Sequence, residues 1–122
     1  MKLLYVEDEA DIRTIAEVAL EDEGFELQFC ASGEEALEKL QDYVPDVILL
    51  DVMMPGMDGP TTLDKLRKLP GLEQTPVIFQ TAKVRPDEVK DFIDLGALGV
   101  IHKPFDPMTL ADDIREMIEQ HK

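Results

Sequence analysis

Cysteine occurs once, at position 30, which excludes an internal disulfide, and with only two distant histidines, His102 and His121, the chain has no cluster with zinc-ligand spacing. Cys30 is expected to be a small core residue. No uninterrupted apolar segment approaches the roughly 20 residues that cross a bilayer. The apolar start, Leu3-Leu4-Tyr5-Val6, is cut by Glu7 well short of a signal-peptide core. A soluble, cytoplasmic protein is the expectation. Basic residues are scarce, 12 against 27 acidic ones, for a formal charge of −15. Nucleic-acid binding needs a positive field over the phosphates, so this balance argues against it, and against anionic membrane as well. The acidic excess is compatible with divalent cations and basic partner patches, although its commonest meaning is a solvated surface.

What is present is a regular array. The 122 residues, 44% apolar, fit one domain spanning 1–122, with no separate output domain expected. Hydrophobic period and caps give five alternations of strand and helix, without low-complexity segments or repeats. Leu3 to Val6 reads as a strand, followed by Ile12, Ile15, Ala16 and Ala19 at helical spacing until Gly24. Phe25 to Cys30 alternates as a second strand. Ser32 and Glu35 have the form of a capping box opening a helix with Ala36, Leu37 and Leu40. Val47 to Leu50, four apolar residues without alternation, suits a central parallel strand buried on both faces. Its loop, Met53 to Gly59, is dense in turn residues and leads to a helix bearing Leu63 and Leu66. Pro76 to Gln80 and Gly99 to His102 are the last two strands, separated by a helix starting near Pro86. Asp106-Pro107 is expected to begin a final helix with Leu110, Ile114, Met117 and Ile118 in one stripe. Short strands alternating with helices predict an α/β, doubly wound parallel sheet.

In such a sheet the carboxyl ends of all strands share one rim, where ligands bind. Glu7, Asp8 and Glu9 follow the first strand, Asp51 ends the third, Thr81 follows the fourth and Lys103-Pro104 follows the fifth. Each has an ordinary explanation alone: a helix dipole to complement, a turn to bond, a solvated loop charge. Together they conflict, because converging carboxylates repel unless a cation neutralises them. With Glu7, Asp8 and Asp51 at −3, one divalent ion and Lys103 bring the formal sum to zero. Oxygen-only ligands with few direct carboxylates suit Mg²⁺. Mg²⁺, Lys103 and the Thr81 hydroxyl could each hold one oxygen of a transferring phosphoryl group, with Asp51 as the in-line nucleophile that becomes an acyl phosphate.

V-E-D-E (6 to 9), L-L-D-V-M-M-P-G-M-D-G (49 to 59), T-A-K (81 to 83) and H-K-P-F (102 to 105) stand in the order and spacing of a known family. The chain resembles the CheY-like response-regulator receiver domains of two-component signalling, in their single-domain form, over essentially its whole length. The resemblance implies a flavodoxin-like sheet of order 2-1-3-4-5 flanked by five helices. It implies Asp51 as phosphoacceptor, Mg²⁺ bound directly by Asp8, Asp51 and the backbone carbonyl of Met53, and Glu7 acting through water. It further implies that Lys103 contacts the phosphoryl group, that Thr81 moves toward it, and that the Lys103-Pro104 bond is cis. The implied phosphodonor is a histidine kinase or histidine phosphotransfer protein. A downstream partner would meet the face of the fourth helix, fifth strand and fifth helix. The chemistry would act on the protein itself, through phosphoryl acceptance and autodephosphorylation, rather than turn over a metabolite as an enzyme does.

Two positions depart from the family pattern. Val100 replaces the Tyr or Phe that often turns inward when the threonine shifts, and Glu7 stands where Asp is common. Met53 and Lys83, two residues beyond Asp51 and Thr81, flank the phosphoryl group in family members; a bulky Met53 would shield an acyl phosphate from water. His102 and His121 read as bystanders. Two other functions compete: a phosphorylation-independent scaffold, which the Val100 departure supports, and a haloacid-dehalogenase-type phosphatase, whose second acid two residues after the nucleophile is missing because Met53 stands there.

Overall fold

The computed structural model describes residues 1–121, and they form an α/β sandwich. In chain order the elements are β1 (Lys2–Val6), α1 (Ala10–Leu20), β2 (Glu26–Cys30), α2 (Gly33–Lys39), β3 (Val47–Asp51), α3 (Gly59–Leu66), β4 (Val77–Thr81), α4 (Pro86–Asp94), β5 (Gly99–His102) and α5 (Leu110–His121). The five strands make one sheet of order β2-β1-β3-β4-β5, and every pairing is parallel. The expected flavodoxin-like order is therefore present. No helix among the described residues is long and apolar enough to cross a membrane.

Alternation along the strands splits the core in two. Leu4, Val6, Ile48, Leu50, Val77 and Phe79 pack with Ala36, Leu40, Leu63 and Leu66 under α2 and α3. Leu3, Tyr5, Val47, Leu49 and Ile78 pack with Ala16, Leu20, Leu110 and Ile114 under α1 and α5. All five residues of β3 and of β4 are buried, as strands covered on both faces should be. Cys30 is a free, buried core residue, where burial pushes its thiol up to about 11.

Local signals mostly act where expected. The Ser32 Oγ accepts from the Glu35 amide at 3.1 Å, while Glu35 Oε2 accepts from the amide of Ala31 rather than that of Ser32. The Lys103–Pro104 bond is cis. Three expectations shift. In α1 the buried stripe is Ala16 and Leu20, whereas Ile15 is 49% exposed and Val18 63%; a small residue at closest approach lets the helix sit tightly on the sheet and turns the larger neighbours out. The last helix starts at Leu110 and not at Asp106-Pro107. Asp106 instead builds the turn before it, with Oδ1 accepting from Met108 N at 2.8 Å and its carbonyl from Leu110 N at 3.0 Å. β4 also runs one residue further than expected, so Thr81 closes the strand.

Candidate phosphoacceptor site

Asp51 is the last residue of β3 and is 1% exposed; Glu7, just beyond β1, is 0% exposed. Both occupy the positions that strand alternation assigns to the α1 and α5 side, two residues past Leu49 and Tyr5. Asp8 is half-buried. One carboxylate oxygen from each of Glu7, Asp8 and Asp51 lies within 4.8 Å of the others. Backbone bonds hold this rim: Glu7 N donates to the Cys30 carbonyl at 2.9 Å, and Lys103 N to the Thr81 carbonyl at 2.9 Å. The Arg13 guanidinium, one turn into α1, donates to the Glu7 carbonyl at 2.6 Å.

Lys103 reaches into the cluster from the loop after β5. Its Nζ donates to Asp51 Oδ2 at 2.9 Å. It also stands 2.8 Å from Glu7 Oε1 and 3.9 Å from Glu9 Oε2. The approach to Glu7 Oε1 is a close ion pair, out of line for a well-directed hydrogen bond. Burial, followed by the neighbouring Asp51 carboxylate, pushes the Glu7 carboxyl up to about 8 against the opposing pull of Lys103. Burial alone would lower the Lys103 ammonium, but Glu7 and Asp51 outweigh it and hold it above its ordinary value. One ammonium against this many acids leaves excess negative charge on clustered carboxylate oxygens, which is the donor chemistry of a hard divalent cation. The residues present fit Mg²⁺.

The loop that follows Asp51 is held by α3. Asp58 caps that helix through Oδ1, which accepts from Thr61 N at 2.8 Å, and Gly59 N donates to the Val52 carbonyl at 2.9 Å. A Cβ on Gly59 would come 2.6 Å from the Asp51 carbonyl oxygen and 2.9 Å from the Val52 Cα. Gly59→Ala is therefore expected to cost about 1–3 kcal/mol through forced backbone displacement. Urea unfolding measures it, and an unchanged midpoint would show slack in the loop.

The other sequence candidates make no hydrogen bond or ion pair to these carboxylates among the described residues. Thr81 is 2% exposed, but its hydroxyl accepts from Lys83 N at 3.0 Å inside its own turn. Met53 sits two residues past Asp51 with 67% of its surface open. Val100 packs against the α2–α4 side of the core. His102 and His121 are exposed. Sequence reasoning missed Tyr5 and Gln80, which hydrogen-bond beside the acids; the available signal was a glutamine inside the otherwise apolar run V-I-F-Q-T.

Comparison with known proteins places this geometry. Residues 3–115 match the family model described as the response regulator receiver domain. The uncharacterized transcriptional regulatory protein YclJ of Bacillus subtilis is 37% identical over 100% of this chain and 52% of its own length. The transcriptional regulatory protein DltR of Streptococcus agalactiae is 38% identical over 94% of this chain and 50% of its own. The chain thus spans about half the length of these relatives. Among solved structures, the chemotaxis response regulator CheY4 of Vibrio cholerae superposes with a TM-score of 0.88 at 34% identity, covering 95% of this chain and 97% of that one.

Proposed function

Because this chain belongs to the response regulator receiver domain family, we propose that residues 1–122 act as a single phosphorylation-switched module of two-component signalling, with Asp51 as the acceptor. The observation that carries the reading is Asp51 itself: a buried carboxylate at the end of a central strand, paired with Lys103 at 2.9 Å and clustered with Glu7 and Asp8.

An Asp51 oxygen attacks the phosphorus of a phosphohistidine, the N–P bond breaks, and the departing imidazole nitrogen takes a proton. Lys103, already against Asp51, compensates charge on the incoming phosphoryl oxygens, and the Thr81 hydroxyl leaves its turn to hold a third oxygen. Asp8, Asp51 and the Met53 carbonyl would hold Mg²⁺ directly and Glu7 through water; bound there, the ion supplies charge neutralisation for the transfer. Replacing a carboxylate by an acyl phosphate changes the local charge by about −1, enough to recruit Lys103 and Thr81 as charge-assisted partners.

The phosphodonor is a histidine kinase or histidine phosphotransfer protein. The readout passes through a partner on the face of α4, β5 and α5. In support, α4 buries none of its residues, and Val84, Ile93 and Leu95 remain exposed there. With Val100 on β5, coupling runs through the β4–α4 loop rather than a turning aromatic ring. Met53 stands two residues beyond Asp51, a position that flanks the phosphoryl group in family members, so Met53→Asn is expected to shorten the phosphorylated lifetime several-fold, followed by mass after donor removal. An unaltered decay would deny Met53 its shielding role.

The test of the reading is a titration of ¹⁵N-labelled protein with Mg²⁺ and then beryllofluoride, which mimics an acyl phosphate. Shifts are expected at Asp8, Asp51, Thr81 and Lys103 and into α4. Shifts absent everywhere would favour the phosphorylation-independent scaffold.

A further inference from the structure

Beside the carboxylates lies a buried polar pair that phosphoryl acceptance leaves unused. Tyr5 and Gln80 are both 0% exposed. The Tyr5 hydroxyl donates to Gln80 Oε1 at 2.5 Å, so the pair bridges β1 to β4 across the intervening β3. Gln80 is the register partner of Asp51 and therefore faces the same side of the sheet. Tyr5 faces that side too, two residues before Glu7. Their neighbours in this layer are aliphatic, Leu49, Ile78 and Ile101, and an apolar residue at position 80 would avoid the cost of burying an amide.

Gln80 commits only half of that amide to Tyr5. Among the described residues its Nε2 has no hydrogen-bond partner, and the group facing Glu7 Oε1 is the Lys103 ammonium, an ion pair at 2.8 Å. A buried polar group left unsatisfied is costly. A spare amide donor and a buried carboxylate with acceptor capacity beyond its one ion pair thus occur in one buried layer. The Tyr5 hydroxyl donates to Oε1, which leaves Nε2 as the free end of the amide.

We propose that Gln80 is a positioning residue of the acidic site, fixed by Tyr5 through Oε1 so that Nε2 donates to the Glu7 carboxylate, directly or through one water, when the cation binds. Glu7 then accepts from Gln80 on one side and serves the cation on the other. This inference rests on the acidic cluster being the cation site of the proposed function.

Three measurements test it on the full chain: Mg²⁺ affinity by calorimetry, the Gln80 side-chain amide signals by NMR, and labelling by acetyl phosphate. Gln80→Met keeps length and removes the donor; Tyr5→Phe removes only the hydroxyl. Gln80→Met is expected to weaken Mg²⁺ binding about 10-fold, Tyr5→Phe less, with both variants still folded. In the wild type, the Gln80 Nε2 protons, assigned from the Gln80 side-chain carbons, should shift on Mg²⁺ addition. Unchanged affinity in Gln80→Met, or Gln80 amide signals that do not move, overturns the proposal. If Gln80→Met does not fold, the wild-type amide signals decide alone. A wild type that binds Mg²⁺ but takes no phosphoryl group counts against the phosphoacceptor reading and leaves the Gln80 comparison intact.

Discussion

Lys103→Met is expected to slow phosphorylation of Asp51 by about 100- to 1,000-fold, the usual cost of removing one fixed group that stabilises charge in the transition state. Methionine keeps most of the length and loses the ammonium. Among the described residues Lys103 is the only cation paired with the side chains of Asp51 or Glu7; the neighbouring Arg13 guanidinium is engaged by the Glu7 carbonyl. The substitution also removes one partner from a largely buried ion pair, for which about 3–5 kcal/mol is typical; Lys103 side-chain exposure of 21% places the loss toward the lower end. Mg²⁺ should recover part of that stability, because the ion meets the same carboxylates, without recovering the rate. Time-resolved intact mass with acetyl phosphate gives the rate, and thermal melts with and without Mg²⁺ give the stability. A variant labelled at the wild-type rate would remove Lys103 from the mechanism.

Withdrawal of divalent cation carries the second large effect. Chelation is expected to abolish labelling. Binding to the native state alone raises stability by about 2.7 kcal/mol at 100-fold excess over Kd, roughly 8–12 °C in Tm for a domain of this size. Asp8→Asn removes one carboxylate of the cluster within 4.8 Å and should lose most of the Mg²⁺-dependent rise while folding normally in chelator. A Tm that ignores Mg²⁺ in the wild type, or rises equally in Asp8→Asn, would place the ion elsewhere.

The rim was legible because parallel strands turn sequence position into spatial position. Glu7, Asp51 and Lys103 are far apart along the chain, yet each directly ends or follows a strand, and the sheet brings them into contact. Face selection on α1 was less legible: Ile15 and Ala16 both suit a helical stripe, and only packing distance decides that the alanine faces the sheet. The start of α5 was misplaced since Asp106 satisfies a turn and a helix start with the same side chain. The Thr81 hydroxyl is an acceptor in its own turn, a local bond that competes with any reach toward Asp51. Tyr5 and Gln80 escaped notice because each sits in an apolar run, and their pairing spans three strands that periodicity treats separately.

The central claim is that Asp51 accepts the phosphoryl group. Intact-mass analysis after incubation with Mg²⁺ and acetyl phosphate, with Asp51→Asn in parallel, tests it most directly. One addition of about 80 Da is expected on the wild type, and none on Asp51→Asn or in chelator. Equal labelling of Asp51→Asn, or a wild type inert to both acetyl phosphate and beryllofluoride, would contradict it.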